Sequence, residues 1–293
     1  MYKYLTVMFA ALLQFSCSTT KPILSIGLVA DPQYADQPTV GKRYYRESVW
    51  KLQQAVDTFN SQKVDFVQTL GDVIDKNWMS YDSVLPVYRH LDPGIENYQS
   101  LGNHDFSIDS TYMPQLLNRL GMLNYYYSYV KKGFRFIVLD ATDYAYYSNP
   151  LHKRPLATLD KYYKSTEGQP NHQEWNSGIG EQQQAWLKQE IAQADAASQK
   201  IILFSHMPVR PEGGAHNLWN AAEIVSIIED SPSVVAFISG HNHAGGYVFK
   251  NGIHYITIFG MVDTEISSYA ILDIYRDRMI LKGFGNQKGM DLK

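Results

Sequence analysis

Residues 23–33 read ILSIGLVADPQ, and residues 65–75 read DFVQTLGDVID. Each stretch contains an apolar run as long as a buried strand, and the two runs end beside Asp31 and Asp72. Apolar side chains recur at helical spacing in the sequence between them, at Val49, Leu52, Val56 and Phe59. The pattern predicts a β-α-β unit with an acidic residue at the carboxyl end of each strand, which is where α/β sheets bind ligands.

Strand and helix patterns alternate along most of the remaining chain. After a predicted helix at 80–91 and a strand ending at Gly102, a hairpin is expected across residues 131–133. Further elements are predicted as helices at 181–196 and 218–229 and strands at 200–205, 234–239, 253–258, 269–274 and 279–284. The strands that follow Gly246 are expected to be antiparallel. Residues 141–180 lack periodicity, and we predict that they form a long insertion loop in one domain spanning 23–293.

The overall composition excludes several classes of protein. Hydrophobic residues make up 45% and charged residues 19% of the 293-residue chain, which are proportions of a globular protein and not of a disordered or multi-span membrane protein. The formal net charge is -3, and no run of Lys or Arg offers the charge density that binds a nucleic-acid backbone. We therefore expect no long nucleic acid among the partners of this protein.

The amino terminus resembles an export signal. An apolar run from Leu5 to Leu13 follows a lysine, and small Ser16 comes directly before Cys17, the single cysteine. The run is too short to anchor the chain as a spanning helix, and its end resembles a bacterial lipobox, in which the cysteine is lipidated. We predict that residues 1–16 are a signal peptide and that 17–22 tether an exported lipoprotein, which meets the membrane only through its lipid. It would lie in the periplasm or at the cell surface; an ordinary secretory peptide is the alternative.

Five short segments carry polar side chains to the ends of predicted strands. They are Asp31-Pro32-Gln33, Gly71-Asp72-Val73-Ile74-Asp75, Gly102-Asn103-His104-Asp105, Ser205-His206 and Gly240-His241-Asn242-His243. Because strand ends converge on one edge of an α/β sheet, these side chains are expected to meet. Their carboxylate, amide and imidazole groups suit Mn, Fe or Zn in a two-metal site, whereas the thiolates of a structural zinc site are lacking. Metal-assisted hydrolysis is the reaction type that such a site predicts.

The order of these segments resembles that of the calcineurin-like metallophosphoesterase superfamily. Within it, the sequence is particularly similar to the manganese-dependent ADP-ribose/CDP-alcohol diphosphatases. The similarity covers about residues 23–285 and includes further signatures at Val29–Asp36, Arg43–Arg46, Gly178–Gly180, Leu218–Asn220 and His243–Tyr247. Gln33 stands where most of the superfamily has histidine, and it is shared with the diphosphatase branch. The resemblance implies a four-layer α-β-β-α sandwich in which two mixed sheets face each other.

The resemblance also implies a role for each of these polar residues. Two metal ions would share Asp72, with one completed by Asp31, Gln33 and His243 and the other by Asn103, His206 and His241. In such sites, two cations about 3.5–4 Å apart clamp a phosphoryl oxygen and acidify a bridging water to the attacking hydroxide. His104 would stabilise and protonate the leaving oxygen, and Asp75 would accept a hydrogen bond that orients His104. Manganese is the expected metal, with iron or zinc as alternatives.

Substrate contacts are expected from two regions. Tyr34, Arg43 and Arg46 are candidate substrate-binding residues, although the Arg43–Arg46 segment could instead steady the loop after Asp31. The 141–180 segment carries many aromatic residues beside Lys153 and Arg154, so it could stack on a nucleobase and meet a phosphate, or it could be a surface excursion without a role. His216 and the other histidines outside the five segments are expected to be surface or structural residues.

The reaction implied by the resemblance is hydrolysis of the phosphoanhydride in a small nucleotide-linked diphosphate, such as ADP-ribose or a CDP-alcohol. Two alternatives stay open. The same superfamily core also serves phosphomonoesterases and phosphodiesterases. A non-enzymatic, lipid-anchored binding protein on the same fold is the other alternative, and the complete set of candidate ligands argues against it.

Overall fold

Side chains of the first strand point alternately to the two faces of its sheet, and this alternation separates the layers of the molecule. In the computed structural model, which describes residues 21–293, Leu24, Ile26 and Leu28 of this strand point into an apolar core. Gly27 points the opposite way, and a Cβ atom there would lie 3.0 Å from the ring of Phe59. The first helix therefore packs closely on the outer face of its sheet because one position of the central strand has no side chain.

The strands form two six-stranded sheets. Their bounds are β1 (Leu24–Val29), β2 (Phe66–Thr69), β3 (Glu96–Gln99), β4 (Tyr127–Lys131), β5 (Phe134–Val138), β6 (Lys200–Ser205), β7 (Val234–Ser239), β8 (Gly246–Lys250), β9 (Ile253–Thr257), β10 (Ser268–Ile274), β11 (Met279–Gly285) and β12 (Met290–Leu292). One sheet has the order β12-β11-β10-β1-β2-β3, and the other has the order β4-β5-β6-β7-β9-β8. Both are mixed, since parallel pairs such as β1 with β2 adjoin antiparallel pairs such as β1 with β10.

Helices cover the outer faces of the two sheets. Their bounds are α1 (Ser48–Gln62), α2 (Ser80–Tyr88), α3 (Leu116–Arg119), α4 (Asn149–His152), α5 (Leu156–Lys164), α6 (Glu181–Ala196) and α7 (Ala221–Glu229). Side chains of α1 and α2 share a buried cluster with one sheet, and those of α6 and α7 share a cluster with the other. A third cluster joins side chains of both sheets, such as Ile26 and Phe204. The predicted four-layer α-β-β-α sandwich is confirmed.

Some of the predicted strands and helices are confirmed, and others are wrong. The strands β6 and β7 have the predicted bounds, while β12 was not predicted. The strands after Gly246 are not purely antiparallel, because β9 also pairs in parallel with β7. The expectation that residues 141–180 lack regular structure is wrong for part of the segment, which contains α4 and α5. These helices of 4 and 9 residues are too short to repeat an apolar pattern over several turns.

The sequence expectations for the amino terminus fall outside the described residues. The signal peptide over residues 1–16, the acylation site at Cys17 and the first part of the tether all precede Lys21, where the description begins. Between residues 21 and 293, no helix combines the length and the apolar character that crossing a bilayer requires.

Candidate metal centre

The five predicted segments meet at one edge of the sandwich. One sheet contributes Asp31 after β1, Asp72 after β2 and Asn103 after β3, and the other contributes His206 after β6 and His241 after β7. Potential ligand atoms of Asp72, His206 and His241 all lie within 4.8 Å of one another. The site therefore spans both sheets, and each sheet supplies candidate ligands at the carboxyl ends of its parallel strands.

Asp72 lies at the middle of this cluster and is fully buried. Its Oδ2 accepts a hydrogen bond of 2.9 Å from the Gln33 amide and lies 3.4 Å from His206 Nε2, while Oδ1 accepts a bond of 2.8 Å from the His104 main-chain N–H. Burial alone would raise the pKa of Asp72, but the nearby histidines, His206 above all, hold it well below its ordinary value. The residue is a buried anion that touches both halves of the predicted site.

His243 and Asp31 form one side of the cluster. Nε2 of His243 lies 3.5 Å from Asp31 Oδ1 and 3.2 Å from the Gln33 amide nitrogen. Its other ring nitrogen lies 2.8 Å from Asp263 Oδ1. Burial opposes the charged imidazolium, but Asp31 and Asp263 outweigh it and raise the pKa of His243 to about 10. The ring is thus held from behind by Asp263 while its Nε2 faces the centre.

His206 and His241 form the other side. The Nδ1–H of His206 donates to the Leu70 carbonyl at 2.7 Å, so that Nε2 faces Asp72 and the side-chain oxygen of Asn103, 3.1 Å away. Burial lowers the pKa of His206, but Asp72 opposes it and the net effect is a rise to about 9. Burial and the charge of His206 instead hold the pKa of His241 well below its ordinary value.

The chain turns sharply at the residues that carry these ligands. Four of them have left-handed backbone angles, with φ of 50° at Asp31, 43° at Gln33, 54° at Asp72 and 65° at His241. Such angles are uncommon for residues with side chains and cluster at functional sites, where the surrounding fold enforces them. Here they turn the polypeptide immediately after a strand, which directs each side chain into the shared centre.

Glycines give the loops room to approach one another. A Cβ atom on Gly102 would lie 2.2 Å from Asp72 Oδ1, and one on Gly71 would lie 2.6 Å from His206 Nδ1. Both positions therefore exclude any larger residue without displacement of a candidate ligand.

Asp105 holds two of these loops together. Its buried carboxylate accepts hydrogen bonds from the main-chain N–H groups of Asp72 at 2.9 Å, Val73 at 3.1 Å and Gly102 at 2.9 Å, and from the Tyr81 hydroxyl at 2.9 Å. A charged acceptor shared by several buried donors fixes their relative positions strongly. Asp105, the last residue of the Gly102–Asp105 motif, thus supports the site without being one of the candidate ligands.

His104 lies beside the cluster with one ring nitrogen already bonded. Its Nδ1 lies 3.0 Å from the main-chain oxygen of Asp75 and 3.3 Å from Asp75 Oδ1. Burial lowers the pKa of His104, but the charges of Asp72 and Asp75 outweigh it, and the net effect is a rise. The ring therefore has a fixed orientation, with Nε2 left to act elsewhere.

A cavity of about 440 Å³ opens onto the cluster. Its lining consists of Gln33, Arg43, Asp72, Asn103, His104, Trp175, His216, His241 and His243.

Arg43 is the one predicted substrate-binding residue in this lining, and its guanidinium lies 3.7 Å from Asp75 Oδ1. Arg46 pairs instead with exposed Asp36, and half-buried Tyr34 lines a separate recess, so neither faces the cavity. Tyr45 of the same segment packs on Ala35 and Val262, which supports the alternative that the Arg43–Arg46 segment steadies the loop after Asp31.

The 141–180 segment reaches the cavity at fewer points than its composition indicates. Arg154 pairs with Asp143 and lies over the ring of Tyr144, so its charge is already compensated. Most of the aromatic residues pack on one another, as Tyr146 does on Tyr163. Trp175 alone of the aromatic residues in this segment lines the cavity, where its ring centroid lies 5.2 Å from that of His241.

Sequence reasoning missed three residues at the site. His216 was expected to be a surface or structural residue, yet it lines the cavity with its ring 5.0 Å from Trp175. Asp263 follows β9 by six residues, so it does not come directly after a strand and the strand-end rule does not single it out. Asn176, whose side-chain oxygen lies 3.0 Å from His241 Nε2, gives no signal in the sequence beyond its position two residues before the Gly178–Gly180 signature.

The donor set fits divalent cations. Oε1 of Gln33 is buried and has no hydrogen-bond partner among the described residues, which is an unusual state for an amide oxygen and one that a cation would relieve. His206 and His243, whose raised pKa values favour the protonated ring, would bind a cation in exchange for a proton. Oxygen and nitrogen ligands together, without thiolates, are typical of Mn and similar metals.

Comparisons with known proteins agree with this geometry. The calcineurin-like phosphoesterase profile matches residues 24–245. The manganese-dependent ADP-ribose/CDP-alcohol diphosphatase of Oryza sativa subsp. japonica is 30% identical, with 91% of this chain and 92% of that protein aligned. The protein of the same name from Mus musculus is 28% identical over 91% of this chain and 92% of its own. The crystal structure of a dimetal phosphatase from Danio rerio superposes with a TM-score of 0.80 at 28% identity, covering 93% of this chain and 99% of that one.

The role of Asp105 can be tested by the Asp105→Ala variant. We expect a lower urea midpoint of unfolding, because each buried N–H left without an acceptor costs about 1–3 kcal/mol. We also expect weaker Mn²⁺ binding in calorimetric titrations, since the loops that carry Asp72 and Asn103 lose their common acceptor. The matched control is Asp109→Ala, which removes an exposed carboxylate that bonds only to Thr111. Wild-type stability and Mn²⁺ affinity in Asp105→Ala would contradict this role.

Proposed function

This chain belongs to the calcineurin-like phosphoesterase family, and from that premise we propose that it hydrolyses the phosphoanhydride bond of nucleotide-linked diphosphates of the ADP-ribose and CDP-alcohol type. The observation that carries the proposal is the shared cavity, in which the candidate ligands surround Asp72 and a further histidine, His104, faces the same space. The relatives that bear the diphosphatase name align along nearly their whole length, which supports the same reaction class here.

The proposal places two divalent cations, preferably Mn²⁺, at the centre. Asp31, Gln33 and His243 would hold one, Asn103, His206 and His241 would hold the other, and Asp72 would contact both. When bound, such cations supply positive charge to the phosphoryl oxygens and lower the pKa of water. Asp72 suits the shared position because it is a fully buried anion in contact with residues of both groups.

His104 is proposed as the acid that protonates the leaving oxygen. Its Nδ1–H bonds to Asp75, so the tautomer and ring orientation are set before substrate binds. The neighbouring carboxylates raise its pKa, which favours a ring that carries a proton to give. Asp75 acts as a positioning residue in this scheme, and its main-chain oxygen would continue to hold the ring if its carboxylate were replaced.

Arg43 is proposed to contact the phosphate that the metal ions do not hold. It lines the cavity and is partly exposed. Its guanidinium lies 3.7 Å from Asp75 Oδ1 and 3.9 Å from Asp263 Oδ1, which is too far for a hydrogen bond to either, so its donors are available to a second phosphate. A diphosphate offers such a second group, whereas a monoester such as p-nitrophenyl phosphate does not. This difference favours a diphosphate substrate over a simple monoester.

Parallel assays test the proposed substrate class. Purified protein with Mn²⁺ would be offered ADP-ribose, a CDP-alcohol, p-nitrophenyl phosphate and a cyclic nucleotide. We expect the highest kcat/KM for one of the two diphosphates, with a nucleoside monophosphate as product. A higher kcat/KM for the monoester or the cyclic nucleotide would replace the proposal by a phosphomonoesterase or phosphodiesterase. An absence of turnover on all four with Mn²⁺ bound would favour a binding protein.

Three variants separate the proposed metal, acid and positioning roles. His104→Ala should keep both Mn²⁺ ions and lose about 10²–10⁴ in kcat, the usual contribution of a positioned acid. Asp72→Ala should lose activity together with metal, because no neutral replacement supplies the shared negative charge. Asp75→Asn should have a milder effect on kcat than His104→Ala, since the main-chain contact to His104 remains. Metal content by mass spectrometry beside each kcat provides the check; loss of Mn²⁺ in His104→Ala would instead make that residue a ligand.

We further propose that the protein is exported and anchored by a lipid at Cys17. The support is the sequence of residues 1–17, in which an apolar run ends beside the single cysteine. The described part of the chain begins shortly before β1, whose first residue, Leu24, lies at the opposite end of that strand from the candidate ligand Asp31. Fractionation of cells that produce the full chain tests this: wild type should sediment with membranes, and Cys17→Ala should not. Equal distribution of both would contradict the anchor.

A further inference from the structure

The side chain of Asn176 is fully buried beside the metal centre. Its amide nitrogen donates to two main-chain oxygens, that of Asn171 at 3.0 Å and that of Ala215 at 2.8 Å. Because both N–H groups of the amide are used in this way, its orientation is fixed and only the oxygen can face the remaining neighbour. That neighbour is His241, whose Nε2 lies 3.0 Å from Asn176 Oδ1.

This contact determines the tautomer of His241. An amide oxygen only accepts hydrogen bonds, so Nε2 of His241 must carry the proton. A neutral imidazole has one N–H and one lone pair, which leaves the lone pair on Nδ1. Asn176 thus leaves Nδ1 of His241 as the nitrogen that can bind a cation.

The same contact connects three parts of the chain. Asn176 belongs to the 141–180 segment, Ala215 lies in the loop after His206, and His241 follows β7. The neighbouring Trp175 lines the cavity. Two consecutive residues of the segment therefore reach the site, Trp175 at the cavity wall and Asn176 behind His241. The other two candidate histidine ligands are held by a main-chain oxygen and by Asp263, and Asn176 supplies the corresponding partner for the third.

We propose that Asn176 is a positioning residue for metal binding, which fixes the orientation and tautomer of His241 and thereby makes the 141–180 segment part of the metal centre. The inference rests on the proposed function, in which His241 is a ligand. Loss of such an outer partner typically weakens metal binding about 10–100-fold. A purely structural role would instead lower stability and leave the affinity of the folded protein for Mn²⁺ unchanged.

Calorimetric titration of chelator-treated protein with MnCl₂ tests the proposal, with thermal unfolding measured on the same samples. Asn176→Ala removes both the oxygen that His241 needs and the two donations to main-chain oxygens. Asn176→Asp also removes those donations but keeps an oxygen for His241. The matched control is Asn217→Ala, which removes a similarly buried asparagine that donates to the Pro211 oxygen at 2.7 Å.

We expect wild type and Asn217→Ala to bind two Mn²⁺ ions with the same affinities. Asn176→Ala should bind one of the two about 10–100-fold more weakly. Asn176→Asp should bind that same ion more tightly than Asn176→Ala does, even if the two variants unfold at the same temperature. If Asn176→Ala does not fold, Asn176→Asp is compared with Asn217→Ala, and Mn²⁺ affinity within about threefold of that control is expected.

Wild-type Mn²⁺ affinity in folded Asn176→Ala would overturn the proposal. It would also be overturned if the Mn²⁺ affinities of the variants simply decreased in step with their unfolding temperatures. A wild-type protein that binds no Mn²⁺ would overturn both this inference and the proposed metal centre. A wild-type protein that binds two Mn²⁺ ions but cleaves no diphosphate would refute only the proposed substrate class, since the titrations of the variants still test Asn176.

Discussion

The buried negative charge of Asp72 is the constraint on which the rest of the site depends. A carboxylate removed from water is costly unless other groups compensate it, and the chain compensates this one from several directions. The Gln33 amide and the His104 main chain donate to it, and His206 approaches it from the opposite sheet. Because these groups come from separate loops, the charge can be satisfied only when both sheets are in register. The arrangement that compensates this charge also brings together oxygen and nitrogen side chains that suit divalent cations.

Strained backbone conformations occur in several of the loops, and groups outside the centre hold these loops in place. Left-handed backbone at Asp31 and Asp72 would be unfavourable in an isolated loop, but Asp105 and the paired strands hold the main chain in place. The histidines are supported in the same way, by a main-chain oxygen, by Asp263 and by Asn176. Each supporting group lies outside the cluster itself, so the geometry of the centre is determined by residues that do not line the cavity. Preorganisation of this kind is what metal-assisted hydrolysis requires of a protein.

The sequence predicted those parts of the site that local rules control. Polar residues placed directly after apolar strands, such as Asp31 and His206, converge because parallel strands end at one edge. Asp263 and Asn176 were not predicted, because each reaches its histidine from a loop whose path depends on packing. Composition was a poor guide within 141–180, since a list of aromatic and cationic residues does not reveal that Arg154 is already paired with Asp143. Only Trp175 among those aromatic residues faces the cavity, and nothing in its own sequence pattern distinguishes it.

We propose that the edge where the two sheets meet forms a single centre for two metal ions, with Asp72 between them. Anomalous X-ray scattering from crystals grown with Mn²⁺ measures this directly, because it locates each manganese independently of the protein atoms. We expect two peaks per chain, about 3.5–4 Å apart, on either side of the Asp72 carboxylate. A single peak, or two peaks of which neither lies within bonding distance of Asp72, would contradict it.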